Sequence, residues 1–250
     1  MLTTTISYSV FRGAEREYVP IPAEDGLQPR SSPSIFESQT SALRAELGDH
    51  HTYDFLEASI PCPVAPEIRQ LFANEYTNVK SIMATPQETG FAFYEENPES
   101  MLTALEQLDE YIEEEGPFDG VVGFCHGAGV AAEYIIHKFQ QDPEGEQPFK
   151  CAILIGAGIP SNPAELKQGK IRQLKVETDG EIIRLPTAHI WGINDPVYDV
   201  CESVSKLCNS KTRAVFIHDG IHEVPNYNSK DGLAGAVKMI RRTVDRGLYQ

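Results

Sequence analysis

The chain has 250 residues, 41% of them hydrophobic and 23% charged, which is typical of a globular protein with one sizeable core. Its 37 Asp and Glu residues outnumber 21 Lys and Arg residues, and the resulting formal charge of −16 disfavours nucleic acids and anionic membranes as partners. No window approaches the ~20 consecutive apolar residues of a membrane span. No signal peptide is recognisable, and the five cysteines lack C-x-x-C pairs, so we expect a cytoplasmic location.

The first hundred residues contain two regular segments and one long irregular one. Residues 17–22 have the pattern of a short strand, and residues 34–47 place apolar side chains on one helical face. Residues 51–59 read as a strand. Residues 60–95 carry four prolines without clean periodicity, which predicts an excursion over the sheet that acts as a lid.

The remaining sequence alternates strands with helices. A helix begins after Asn97, and an uninterrupted apolar run over 151–156 is typical of a buried parallel strand. Residues 160–184 are polar and irregular, which predicts a second lid insertion. Later elements are a strand at 189–192, a helix at 197–208, a strand at 213–218 and a helix at 231–246. This order predicts a single α/β domain over residues 1–250, with a mostly parallel central sheet and helices on both faces.

The segment Gly123-Phe124-Cys125-His126-Gly127 lies between a predicted buried strand and a predicted helix. Its spacing is typical of the G-x-nucleophile-x-G elbow of an α/β-hydrolase, with cysteine where serine is usual. The helix N-terminus there favours a thiolate, because unpaired N–H groups and the helix dipole stabilise negative charge. We therefore predict an α/β-hydrolase fold with Cys125 as nucleophile. The alternative is a buried structural cysteine in a glycine-rich strand end.

The chain order of α/β-hydrolase triads is nucleophile, acid, histidine. After Cys125, this order predicts Asp195 as the orienting acid and His222 as the base. Asp199 is a weaker candidate because it falls on a predicted helix, and His218 is weaker because it falls within or at the end of a predicted strand.

The other polar residues near these positions have different predicted roles. The side chain of His126 points away from Cys125, so we predict that its backbone N–H forms half of the oxyanion hole. A metal site built from His218, Asp219, His222 and Glu223 lacks a second ligand set elsewhere, so we predict neither metal nor cofactor.

Four segments resemble the fungal family of serine hydrolases, which are small α/β-hydrolases without a large separate cap. The segments are residues 34–40 with Leu43, residues 116–124, residues 192–195 and residues 222–225. Members of the family are esterases and thioesterases. Several resemble stand-alone thioesterases that release or cyclise polyketide chains from a fungal synthase.

The sequence departs from the family pattern at two places. The family commonly has Gly-Phe-Ser-Gln-Gly where this chain has Gly-Phe-Cys-His-Gly around Cys125, a change that keeps acyl transfer chemically possible. The family also carries a Leu-His-Gly segment after its first strand, and the nearest match here is residues 23–27. The resemblance implies that the backbone N–H of Leu27 is the second oxyanion donor.

These features predict an acyl-transfer hydrolase of the thioesterase or esterase type with a Cys125–His222–Asp195 triad. The expected substrate is a small-molecule acyl compound: a polyketide-like chain released or lactonised from an acyl carrier domain of a polyketide synthase. One alternative is a dienelactone-hydrolase-like enzyme that opens small anionic lactones. Such a substrate would require arginines near the nucleophile, and the sequence gives no indication of any there. Another is a non-catalytic binding protein with the same fold, which an intact Cys, Asp and His set disfavours.

Overall fold

The computed structural model describes residues 7–13, 35–58, 60–63 and 89–249. The strands in these residues are β1 (Ser7–Gly13), β2 (His51–Glu57), β3 (Ile60–Pro63), β4 (Thr89–Ala92), β5 (Gly120–Phe124), β6 (Cys151–Ile155), β7 (Thr187–Gly192) and β8 (Ala214–His218). The helices are α1 (Ile35–Gln39), α2 (Ser41–Leu47), α3 (Pro98–Glu115), α4 (His126–Gln141), α5 (Pro163–Leu166), α6 (Val176–Asp179), α7 (Tyr198–Lys206) and α8 (Lys230–Tyr249).

Six of these strands form one sheet, in the order β2-β1-β5-β6-β7-β8. Strands β5 to β8 are parallel to one another, whereas β1 is antiparallel to both of its neighbours. The predicted α/β class with a mostly parallel central sheet is therefore confirmed. The carboxyl ends of β5 to β8 share one edge, where ligands bind in sheets of this kind.

Helices cover both faces of the sheet because its central strands are apolar on both sides. Every residue of β5, β6 and β7 is buried, as expected for parallel strands inside an α/β protein. One core cluster joins the sheet to α3, α4 and α7, and a second joins it to α1, α2 and α8. Helix α4 is buried from Gly127 to His137, so its N-terminus is held firmly at the sheet edge.

The N-terminal part differs from the prediction in detail. The predicted strand at 17–22 lies outside the described residues, and β1 was not predicted. The helix expected over 34–47 is divided into α1 and α2 at Thr40. The Thr40 hydroxyl donates a hydrogen bond of 2.8 Å to the carbonyl of Phe36, a back-bonding pattern that bends helices.

The two predicted lid insertions are described to different extents. Strands β3 and β4 pair antiparallel, with Ile60 opposite Ala92 and Pro63 opposite Thr89, so the first excursion leaves and returns at one place. Its middle, residues 64–88, lies outside the described residues. The second insertion contains α5 and α6, linked by ion pairs of Arg172 with Glu165 and Asp179. A lid function for these segments, and a single domain over the chain, stay predictions.

No helix in the described ranges is both long enough and apolar enough to cross a bilayer.

Candidate active site

Cys125 lies at the turn between β5 and α4, in a backbone conformation that side chains rarely adopt. Its φ is 54° and its ψ is −121°, and it is the one non-glycine residue with positive φ in the part of the chain described. The Cys125 N–H donates to the Ile155 carbonyl of β6 at 2.9 Å, and its own carbonyl accepts from Gly129 and Gly158. These bonds hold a conformation that typically costs ~1–3 kcal/mol, as expected for a nucleophile elbow.

The glycine two residues before Cys125 allows the strand and helix to approach closely. A Cβ atom at Gly123 would lie 2.7 Å from the nitrogen of Ala128 and 2.8 Å from the carbonyl oxygen of Gly127. Any larger residue would push α4 away from β5, so the turn needs glycine here.

Asp195 and His222 form a buried pair at the carboxyl ends of β7 and β8. The Nδ1–H of His222 donates to Oδ2 of Asp195 at 2.9 Å, and the two side chains are 2% and 1% exposed. The second carboxylate oxygen of Asp195 accepts from the Val197 N–H at 2.9 Å. This pairing fixes the imidazole orientation and leaves Nε2 as the nitrogen available for proton transfer.

The sulfur of Cys125 raises the pKa of the His222 imidazole. The Nε2 atom is buried and has no partner with hydrogen-bond geometry in the described part of the chain. Burial lowers the pKa of His222, but the nearby sulfur of Cys125 and the Asp195 carboxylate raise it by more, to about 10. The imidazole of His222 is therefore protonated at neutral pH and lies beside the sulfur of Cys125.

Two residues next to the imidazole fix the plane of its ring. Gly156 follows β6 with a φ of 54°, and a Cβ there would lie 2.9 Å from Cε1 of His222. The Phe124 ring lies on the imidazole with 5.0 Å between centroids and a 31° angle between planes. Gly156 was not predicted as a site residue; the sequence signal for it is a glycine directly after an uninterrupted apolar strand.

His126 is the first residue of α4, so its backbone N–H has no acceptor within the helix and lies beside Cys125. Its ring packs edge-on against Tyr94 at 4.5 Å and Phe93 at 6.3 Å. Burial lowers the pKa of His126 to about 4, so the ring is neutral at physiological pH. Leu27, the expected second oxyanion donor, lies outside the described residues.

The two weaker candidates, Asp199 and His218, take no part in the hydrogen bond between Asp195 and His222. It is Asp195, and not Asp199 in α7, that bonds the imidazole of His222. His218 ends β8, and its Nδ1 accepts from the Gly220 N–H at 3.2 Å, as in a turn. Across residues 7–13, 35–58, 60–63 and 89–249 no cluster of three His, Cys, Asp or Glu residues could hold a metal ion.

Comparison with known proteins identifies the family. A family model described as "Serine hydrolase (FSH1)" matches residues 29–232. The chain belongs to the FSH1 family of serine hydrolases. Its resemblance to this family, expected from the sequence, is thus confirmed, and the protein is an α/β-hydrolase enzyme of the esterase and hydrolase class.

Several fungal relatives share most of their length with this FSH1-family chain. "Esterase FPY3" of Fusarium mangiferae is 36% identical over 212 residues, which cover 82% of this chain and 90% of the relative. "Hydrolase FUB4" of Gibberella moniliformis is 27% identical, covering 80% and 90%, and "Family of serine hydrolases 2" of Saccharomyces cerevisiae is 27% identical, covering 78% and 87%. Among solved structures, Zea mays acyl-protein thioesterase 2 matches with a TM-score of 0.42 and 15% identity, over 63% of this chain and 74% of that one.

Proposed function

We propose that this FSH1-family protein is an acyl-transfer hydrolase that acts through a covalent acyl-cysteine on Cys125. The observation that carries the proposal is the buried His222–Asp195 hydrogen bond beside a cysteine in a nucleophile-elbow conformation. A structural cysteine would need neither the strained backbone nor an oriented imidazole whose pKa is raised by its sulfur.

The proposed reaction has two stages. The Cys125 sulfur attacks the substrate carbonyl carbon while its proton resides on Nε2 of His222, and His222 then gives that proton to the leaving thiol or alcohol. In the second stage His222 takes a proton from water, the resulting hydroxide attacks the acyl-cysteine, and the thiolate leaves as the carboxylic acid forms. Asp195 stays ionised and stabilises the imidazolium throughout.

The backbone N–H of His126 is the proposed donor to the oxyanion in both tetrahedral intermediates. It opens a buried helix, so it does not need to reorganise when negative charge develops on the carbonyl oxygen. One such donor typically stabilises the transition state by ~2.7–4 kcal/mol. Leu27 remains the proposed second donor from the N-terminal loop.

We propose a polyketide-like thioester on an acyl carrier domain as the acyl donor. Attack of a thiolate on a thioester forms another thioester, so the acyl-enzyme is close in energy to the substrate and does not become a trap. If a hydroxyl of the acyl chain replaces water in the second stage, the product is a lactone. A reducing compartment such as the cytoplasm suits the proposal, because Cys125, Cys151, Cys201 and Cys208 are free thiols within the described residues.

Trapping of the acyl-enzyme tests the mechanism. The protein is mixed with a short-chain acyl thioester, quenched in acid, and analysed by peptide mass spectrometry. We expect the acyl mass on the peptide that contains Cys125, no adduct in Cys125→Ala, and wild-type labelling in Cys208→Ala, which removes a buried thiol two residues after α7. Wild-type kcat/KM in Cys125→Ala, or an adduct on another residue, would refute it.

The fate of the acyl group requires a separate experiment. Thioesters of hydroxyacyl chains of several lengths are turned over to completion, and the products are separated by mass. We expect lactone beside free acid for at least one length, because a folded chain presents its hydroxyl at high effective concentration. If every chain length gives only free acid, the protein is a hydrolase that does not form lactones.

A further inference from the structure

A carboxylate is buried in the helix that follows the nucleophile. Glu133 of α4 is 0% exposed within a continuous run of buried residues. Its Oε2 accepts from the Ser161 N–H at 3.1 Å and from the Tyr94 hydroxyl at a longer 3.4 Å, and its Oε1 has no partner in the described part. Such burial is costly for a carboxylate, so the contacts that Glu133 makes call for an explanation.

Both hydrogen-bond donors belong to the ends of the predicted lid insertions. Tyr94 comes two residues after β4, where the first excursion returns to the domain, and Ser161 lies at the start of the second insertion. A single side chain on the nucleophile helix thus fixes the position of both segments at their base.

Tyr94 connects this carboxylate to the candidate active site. His126 and Glu133 are seven residues apart on α4, which places them two turns apart on one face. The Tyr94 ring packs edge-on against the His126 ring at 4.5 Å, while its hydroxyl reaches Glu133. Tyr94 is half-buried, and its ring lies against the residue that follows Cys125 in the chain.

We propose that Tyr94 is a specificity-determining residue whose ring limits the space for the acyl chain beside Cys125, and that Glu133 is the positioning residue that holds this ring. The inference rests on the proposed function, because it assigns one wall of the same acyl site. Burial raises the pKa of Tyr94, so its hydroxyl remains a donor at physiological pH.

The chain offers a matched control on the same helix. The Tyr134 hydroxyl donates to Oδ1 of Asp109 at 2.6 Å, a tyrosine–carboxylate bond that joins α4 to α3. Tyr134→Phe removes a bond of the same kind without touching His126. The change seen in Tyr134→Phe therefore measures how far the loss of one tyrosine–carboxylate hydrogen bond affects the rates through protein stability alone.

The experiment measures alkylation of Cys125 by N-alkylmaleimides of increasing chain length, together with kcat/KM for acyl thioesters of matching lengths. Each buried methylene contributes roughly fourfold, so Tyr94→Ala should raise the ratio of long-chain to short-chain rate at least about tenfold. Tyr94→Phe and Glu133→Met both lose the hydrogen bond and should each raise that ratio about threefold, with no further rise when combined.

Two controls complete the design. Glu133→Gln keeps an acceptor oxygen and should restore the wild-type ratio, and Tyr134→Phe should not change it. Nuclear magnetic resonance of the His126 ring gives a readout without turnover: removal of the Tyr94 ring should raise the pKa of His126 from about 4, because the ring then meets water.

A wild-type chain-length ratio in Tyr94→Ala, or an equal change in Tyr134→Phe, would overturn the inference. If Glu133→Met does not fold, Tyr94→Phe alone decides whether the hydrogen bond matters. A wild-type protein that is alkylated at Cys125 but turns over no ester or thioester would refute the proposed function. The alkylation ratios would still decide the role of Tyr94.

Discussion

At the scale of single residues, the charge of His222 depends on its neighbours Cys125 and Asp195. The pKa of His222 is about 10 because the sulfur of Cys125 and the carboxylate of Asp195 outweigh the effect of burial. The imidazole therefore keeps its proton through neutral pH, and the proposed mechanism uses this proton for the leaving group.

Cys125→Ser tests this coupling directly. A serine hydroxyl carries no charge near neutral pH, so the pKa of His222 should fall by about three units, from about 10 to about 7, and the ring should be mostly neutral at pH 8. Titration of the imidazole resonances would measure the shift, with Cys208→Ser as the control. An unchanged pKa would show that Asp195 alone sets the charge of His222. We also expect esterase activity that is measurable but lower than that of the wild type.

Asp195 and Asp199 differ in their expected contribution to turnover. Asparagine at the orienting position favours the wrong imidazole tautomer, which costs about 10⁴ in kcat in a related triad. We expect Asp195→Asn to lose at least about a hundredfold in kcat and Asp199→Asn to stay within about tenfold, because only Asp195 bonds His222. The reverse ranking in steady-state kinetics would assign the orienting role to Asp199.

At the scale of elements, the end of β6 borders the imidazole of His222, the proposed base. Gly156 lies against the His222 ring, so Gly156→Ala should displace the imidazole from Asp195 and lower kcat by at least about tenfold. Gly180→Ala is the matched control: Gly180 also has positive φ, at 70°, but no atom lies within 4 Å of its added Cβ. Stability should fall in both variants through backbone strain. Equal activity of the two would show that the contact with His222 is unimportant.

The elements that the sequence predicted share a simple physical signal. The run 151–156 is an apolar segment of the length of a buried strand, and the turn at residues 123–127 has glycines at a fixed spacing. Both the strand and the turn are present in the structure. The bend at Thr40 was missed because it depends on a side-chain bond to the backbone. Gly156 contacts His222, which is 66 positions away in the chain, and Tyr94 bonds to Glu133, which is 39 positions away. No local sequence pattern reveals contacts between such distant positions.

Glu133 could have been noticed in the sequence, although its role could not. It is one acidic residue inside the run Val130-Ala131-Ala132-Glu133-Tyr134-Ile135-Ile136, which is otherwise apolar or aromatic. Such a residue on a helix that is buried all round must have partners. Their identity depends on which segments cross the helix, and that is a property of the fold.

At the scale of the whole molecule, the chain has a net charge of −16, and charged side chains that are exposed to solvent repel one another only weakly because salt screens them. Glu133 is different, because burial raises its pKa to about 7, although the hydrogen bonds from Ser161 and Tyr94 lower it. In the unfolded chain the same carboxyl has a pKa near 4.5. Folding therefore favours the protonated form of Glu133.

The sign of the resulting pH dependence follows from this difference. The stability contributed by protonated Glu133 is fully present below pH ~4.5 and is lost as the pH rises through ~7. A shift from 4.5 to about 7 corresponds to about 3 kcal/mol at most. Glu133→Gln removes this titration, so its gain in free energy of unfolding over the wild type should be larger at pH 8 than at pH 5 by about 1–3 kcal/mol.

Urea unfolding of both proteins at the two pH values measures this difference. Glu114→Gln is the control, since it removes the same charge from an exposed position on α3 and reports only the relief of surface repulsion. A gain for Glu133→Gln that equals that of Glu114→Gln at each pH would mean that the Glu133 carboxylate is solvated in the folded protein. It would then not be the anchor that holds Tyr94 beside the nucleophile.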